Sequence, residues 1–132
     1  MVDLSDTDTY LEFVFEGGVR LQGRINRIHG PLLVEEIKSR LPIHGRCALL
    51  RGEMKIPLGI GKGYSKPTSE AKRGDIAYMP LGDSLCIYLQ DTKTFSKINV
   101  LGKIASDESA LDQISSVRRG SEVVIRESQG KS

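Results

Sequence analysis

Residues 74–89 read Gly74-Asp75-Ile76-Ala77-Tyr78-Met79-Pro80-Leu81-Gly82-Asp83-Ser84-Leu85-Cys86-Ile87-Tyr88-Leu89. Two short apolar runs, 75–79 and 85–89, lie on either side of a Pro-Leu-Gly-Asp break. Runs of this length bounded by glycine and proline are strand signals. No helical spacing of apolar residues competes with that reading here.

Outward from this stretch the dominant period is two. Leu11, Phe13 and Phe15 alternate with Tyr10, Glu12 and Val14, and Val19, Leu21, Gly23 and Ile25 alternate with Arg20, Gln22 and Arg24. Alternation of this kind marks half-buried strands. Gly17-Gly18 between the runs supplies the positive φ of a tight turn, so 10–15 and 19–28 are read as a hairpin. Further strand candidates are 46–50, 53–57, 98–104 and 122–127.

One segment switches period. After Gly30-Pro31, Leu33, Ile37 and Leu41 recur every fourth residue with Val34 on the same side. This predicts an amphipathic helix over 31–41, with Pro31 in its first turn and Pro42 stopping it. A short second helix is read at 107–114, capped by Ser106 or Asp107 and using Leu111 and Ile114. Residues 58–74, rich in Gly and Lys, are read as a long connecting loop, the rim of a groove. About eight short strands with one clear helix predict a mainly β chain folded as a closed or nearly closed antiparallel barrel.

The chain has 132 residues, 39% hydrophobic and 27% charged, with 19 basic and 17 acidic side chains for a net charge of +2. That fits one folded domain over residues 10–127, with flexible polar tails at 1–9 and 128–132. The charge is too mild to indicate a nucleic-acid partner. Lys72-Arg73 and Arg118-Arg119 beside glycines are read as solvated loop charges. No apolar run approaches the roughly 18 residues of a membrane span, and Met1 to Thr9 does not read as a signal peptide. The expectation is a cytoplasmic protein without a membrane partner.

Several chemistries find no support. Gly59-Ile60-Gly61-Lys62-Gly63 invites a phosphate-loop reading, but Ile56 stands where the first glycine is needed and Gly63 replaces the Ser or Thr. Pro67 follows closely, so no helix N-terminus is signalled to supply aligned amides. His29 and His44 each precede glycine and have no ligand cluster around them, so no metal site and no cofactor are read. Cys47 and Cys86 sit in strand-like runs, where a thiol behaves as a small hydrophobe. No nucleophile motif is present, and no catalytic residue is assigned.

The order and spacing of four stretches resemble the cyclophilin-like family of small prokaryotic proteins. Gly74 to Leu89 resembles its Gly-Asp-(Ile/Val)-Ala-(Tyr/Phe)-Trp-Pro run, glycine turn and Cys-Ile-Phe-Phe-like strand. Leu41-Pro42-Ile43-His44-Gly45-Arg46 resembles the turn after its helix. Gly52-Glu53-Met54 resembles a strand entry, and Ile98-Asn99-Val100-Leu101-Gly102-Lys103-Ile104 its Val-Asn-Val-(Ile/Val)-Gly-(Lys/Arg)-Ile strand. Met79 stands in place of the usual aromatic before Pro80, Leu89 replaces the second aromatic of the Phe-Phe pair, and Gln90-Asp91-Thr92 replaces a frequent Gly-Pro-Thr. The resemblance implies an eight-stranded barrel of cyclophilin type, in a family largely uncharacterised in function.

True cyclophilins carry an arginine in a Phe-His-Arg strand and a glutamine in Gly-Ser-Gln-Phe-Phe-Ile. Here the matching strand reads Cys47-Ala48-Leu49-Leu50, bracketed by Arg46 and Arg51, and the later one, Asp83 to Leu89, has no glutamine. Without those donors the electrostatic part of prolyl isomerisation is missing. The expected function is therefore a non-catalytic module for a peptide or small ligand. The groove beside such a barrel's strands suits either. Its candidate residues are Arg51, Glu53, Tyr78, Pro80, Cys86 and Tyr88, with both tyrosines packing the barrel as the alternative. Peptidyl-prolyl isomerase activity and a role as an oligomeric or complex subunit without small ligand stay open.

Overall fold

The computed structural model describes residues 8–50, 52–63 and 65–128. The expected tails at 1–7 and 129–132 lie outside them. Asp8 and Thr9 already belong to the first strand.

Ten strands and two α-helices follow in chain order: β1 Asp8–Phe15, β2 Arg20–Asn26, α1 Pro31–Ser39, β3 Ile43–Arg46, β4 Ala48–Leu50, β5 Glu53–Pro57, β6 Pro67–Ala71, β7 Asp75–Met79, β8 Ser84–Tyr88, β9 Thr92–Ile104, α2 Glu108–Gln113 and β10 Glu122–Glu127. One antiparallel sheet runs in the order β3-β10-β1-β2-β9-β7-β8-β5-β4, with β6 paired beside it on β9. No helix among the described residues is long and apolar enough to cross a membrane.

The hairpin read at residues 10–28 forms with its turn at Gly17 and Gly18, both in the left-handed region at φ 96° and 100°. Leu11, Phe13, Phe15, Leu21 and Ile25 are buried on its inner face as the alternation requires. Each such side chain contributes on the order of 1.5–3 kcal/mol by leaving water. They join Leu33, Val34 and Ile37 of α1, and residues of β5, β7, β8 and β10, in one core. Residues 27 and 28, placed in the second strand by the sequence reading, belong instead to a 3-10 turn at Arg27–His29. Its Ile28 N–H is capped by the Asn26 side chain at 2.8 Å.

The expected closed eight-stranded barrel is not what forms. Among the described residues the sheet has ten strands and no ladder joins its two ends, β3 and β4. These ends are consecutive in the chain and separated only by Cys47. The segment 43–50 pairs with β10 in its first half and with β5 in its second. At the crossing, the Cys47 N–H donates to the Ser121 carbonyl at 3.0 Å, and the Gly120 N–H donates to the Cys47 carbonyl at 2.7 Å. Covalent chain thus bridges the gap that a ladder would otherwise close, because a strand cannot pair with its own continuation.

The loop expected over 58–74 also resolves differently, since 67–71 is strand β6 and β9 begins at Thr92. Pro67-Thr68-Ser69-Glu70-Ala71 has no apolar alternation to announce a strand. Its backbone pairing with β9 makes it one, with Pro67 at the first position where its missing donor is tolerated. Helix α1 stops at Ser39 rather than 41. Arg40 and Leu41 donate to the Ile37 and Lys38 carbonyls in a tightened last turn, because Pro42 excludes the helical conformation from the residue before it. The second helix forms with Asp107 as its cap, accepting from the Ala110 N–H at 2.9 Å, and runs into a 3-10 turn at Ile114–Ser116. Arg73, read as a solvated charge, instead ties the turn before β7 to α2 through Glu108 at 3.0 Å and Asp112 at 2.7 Å.

β7 and β8 are buried on both faces, which explains their continuous apolar runs. Ile76, Tyr78, Leu85 and Ile87 point into the core. Ala77, Met79, Cys86 and Tyr88 point outward into a second cluster, covered by Ala71 of β6 and Ile98 of β9. Opposite β7, strand β9 carries one extra residue: Val100 faces Ala77 and Gly102 faces Ile76. The extra residue, Leu101, is buried in the main core.

Gly102 is where β9 meets β2 most closely, since a Cβ there would lie 1.8 Å from the Arg24 carbonyl oxygen. Gly63, by contrast, has nothing within 4 Å of that position. Gly102→Ala is expected to destabilise the fold by about 3 kcal/mol or more, the upper end of overpacking effects, and Gly63→Ala by less than about 1 kcal/mol. Urea unfolding of both variants checks this; similar midpoints would refute the close-approach argument.

Candidate functional site

Of the six residues singled out in the sequence, the structure describes five, and they fall on different parts of the sheet. Arg51 lies outside the described residues. Pro80 sits half-buried in the β7–β8 turn. Tyr78 and Tyr88 are both fully buried, but on opposite faces of the sheet, as the cross-strand pairing of β7 with β8 dictates. The two tyrosines pack the protein.

Glu53, Cys86 and Tyr88 do come together. Glu53 is opposite Tyr88, and Lys55 opposite Cys86, on the outer face of the β5–β8 pair. Glu53 is ion-paired to Lys55 at 3.3 Å. Burial, with the Glu53 charge adding to it, pushes the Cys86 thiol up to about 12. Burial likewise raises Tyr88 far above the ordinary phenol range, with Cys86 and Glu53 contributing. Among the described residues the Tyr88 hydroxyl finds no hydrogen-bond partner. A thiol so reluctant to ionise is not a nucleophile at neutral pH. With β6 and β9 over this face, Cys86 and Tyr88 are closed to solvent.

Tyr78 instead anchors the 58–66 segment. Its hydroxyl donates to Asp83 Oδ1 at 2.6 Å and accepts from the Lys62 N–H at 3.2 Å. Asp83, in the left-handed region at φ 50°, also accepts from the Ile60 N–H at 3.1 Å and the Gly61 N–H at 2.9 Å. Asn99, fully buried and opposite Tyr78, accepts from the Ser65 and Lys66 amides, both at 2.6 Å, and donates to the His29 carbonyl at 2.9 Å. Ile60 packs into the main core. The glycine-lysine segment is thus spent on sealing the core. Five amides of the 58–66 segment are turned to Asp83, Tyr78 and Asn99 and are not free to cradle a phosphate.

The open concavity lies elsewhere. A groove of about 840 Å³ is lined by Asp8, Tyr10, Arg24, Asn26, Arg27, Ile28, His29, Pro31, Gly102 and Lys103. Its floor is the outer face of β1, β2 and β9, and the 3-10 turn and the start of α1 form a wall. Tyr10 is opposite Arg24, Arg24 opposite Lys103, and Lys103 opposite Asp75, so one row of side chains crosses four strands. A smaller apolar pocket of about 380 Å³ adjoins it at Pro31, with Leu32, Leu33, Lys62, Gly63 and Ser65 around it. Arg24 was visible in the sequence as an outward position of β2. Its neighbours across the sheet were not, because register between distant strands leaves no local signal.

A curled antiparallel sheet packed on a helix, with an open polar groove on its outer face, defines a barrel-like β fold. The family model described as cyclophilin-like matches residues 9–126, and the chain belongs to that family. The fold is similar to the solution structure of the hypothetical protein AF2241 from Archaeoglobus fulgidus, with a TM-score of 0.75 at 20% identity over 92% of this chain and 96% of that one. It is also similar to McbB, solved in complex with tryptophan, with a TM-score of 0.76 at 13% identity over 92% of this chain and 45% of McbB. No curated protein matches the sequence.

Two measurements probe these assignments. Tyr88→Phe removes a buried hydroxyl that has no partner among the described residues, so it is expected to leave stability unchanged or raise it by about 1 kcal/mol; a loss of that size in urea unfolding would show that the hydroxyl is bonded. For Asp83, burial works to raise the carboxyl, but the Tyr78 hydroxyl and the Gly61 and Ile60 amides outweigh it and hold it below its ordinary 3.8. Its contribution is therefore complete above about pH 4 and lost as pH falls through the lower folded value. NMR amide signals of Ile60 and Gly61 are expected to shift below about pH 4 and to lose that response in Asp83→Asn, a residue that tolerates the same backbone. An unchanged response in the variant would assign it to another group.

Proposed function

We propose that this protein is a ligand-binding module without prolyl-isomerase catalysis, and that its ligand, a small molecule or extended peptide, occupies the groove on β1, β2 and β9. The observation that carries the reading is a contrast between two regions of the outer face of one sheet. The region with Glu53, Cys86 and Tyr88 is covered by β6 and β9, whereas the region with Tyr10, Arg24 and Lys103 is open beside a concavity of about 840 Å³.

Isomerase chemistry must lower a barrier of roughly 18–20 kcal/mol with an apolar seat for the proline ring and a donor at the twisted amide. Both tyrosines are out of reach for such a seat. Arg46, one of the two arginines bracketing the Cys47–Leu50 strand, is engaged with the Gly120 carbonyl at 2.9 Å and Glu122 at 3.5 Å.

NMR exchange spectroscopy on a proline-containing peptide, with the protein titrated in, tests the catalytic half. The expected result is no acceleration of cis/trans exchange; acceleration would overturn the proposal. The binding half is tested on the same sample with that peptide and with tryptophan, the amino acid that McbB holds, as first probes. Shifts confined to Tyr10, Arg24, Ile28 and Gly102 are expected. Light scattering then separates a monomeric binder from the subunit reading, which the full exposure of Phe95 favours.

A further inference from the structure

Arg24 and Lys103 are directly opposite each other on adjacent strands and share the outer face. Like charges so placed repel and weaken a sheet. Lys103 leans away towards Asp75 at 3.9 Å. Arg24 makes no ion pair among the described residues. Arg27 adds a third cation across the groove, with Glu35 no nearer than 4.0 Å, and His29 stands beside it. The lining holds one carboxylate, Asp8, and its Oδ1 already accepts from the Asn26 amide at 2.6 Å. Apolar surface completes the site: the Tyr10 ring, Pro31 and Ile28, which is 66% exposed.

We propose that the groove selects small anions with an apolar body, and that Arg24 and Lys103 hold the anionic oxygens. This rests on the groove being the binding site and narrows that reading to a ligand class. A guanidinium offers a planar fork of donors that matches a carboxylate or phosphate with two parallel hydrogen bonds. The lysine supplies a mobile point charge next to it. A bound anion turns their mutual repulsion into two attractions, which gives a reason for two cations to face each other. The apolar body lies along Tyr10, Ile28 and Pro31, out of water.

Three probes of one shape test it by NMR titration: phenylacetate, phenyl phosphate and neutral phenylacetamide. The two anions are expected to move the signals of Tyr10, Arg24, Ile28 and Gly102, and the amide to bind at least tenfold more weakly. The tighter of the two anions identifies a carboxylate or a phosphate as the natural group. Arg24→Gln and Lys103→Gln are each expected to weaken anion binding about tenfold or more. Arg24→Gln should keep or raise the melting temperature, since it removes a like-charge contact and breaks no ion pair among the described residues; a residue acting only in stability would lower it. Binding should also weaken with added salt. Equal affinity for phenylacetamide would overturn the anion selection and leave the groove as a site. Shifts outside the groove, or none with any probe, would overturn both readings together.

Discussion

The β7–β8 pair, buried on both faces, is the constraint on which the rest of the structure depends. Its inner side chains build the core with β1, β2, β5 and α1, and its outer side chains need a second cover. That cover is β6 against the first half of β9. β9 must therefore serve two layers, lying over the outer cluster at Ile98 and entering the core at Leu101. Alternation alone puts Ile98 and Val100 outward and Leu101 inward; the extra residue opposite Ile76 and Ala77 then turns the alternation over, so that beyond it Lys103 is the residue that faces outward.

The same constraint settles which polar groups are left for chemistry. Cys86 and Tyr88 are removed from water, so their protons are held more tightly than in solution. Tyr78, across the sheet, is fully engaged by Asp83 and the Lys62 amide. Burial and the adjacent carboxylate push its hydroxyl up to about 12. These residues make a sealed scaffold. The loop that looks most like a phosphate cradle is held by its own amides to that scaffold and closes the core over Ile60.

What remains open is the outer face of β1, β2 and β9, where the ladder fixes the backbone and Tyr10, Arg24 and Lys103 line a concavity. Gly102 brings β9 onto β2 too closely for any side chain, which places Lys103 directly against Arg24. The charge of the groove is thus a consequence of packing. A net charge of +2 over the whole chain gave no hint of it, because the cations are concentrated by folding and compensated elsewhere.

By itself the sequence determined what depends on neighbouring residues. The alternation of Leu11, Phe13 and Phe15, the glycine pair at the first turn, the four-residue spacing of Leu33 and Ile37 and the stop at Pro42 each act within a few positions. Together with the ordered motifs they determined a mainly β chain of the cyclophilin-like family. The tertiary structure decided what depends on register and cover: the ten strands joined end to end through Cys47, the strand at Pro67–Ala71, the separation of Tyr78 from Tyr88 and the meeting of Arg24 with Lys103. The physical reason is that side-chain direction is set locally by the backbone. Which distant strand lies opposite, and what lies on top, is set by the free energy of the whole packed core.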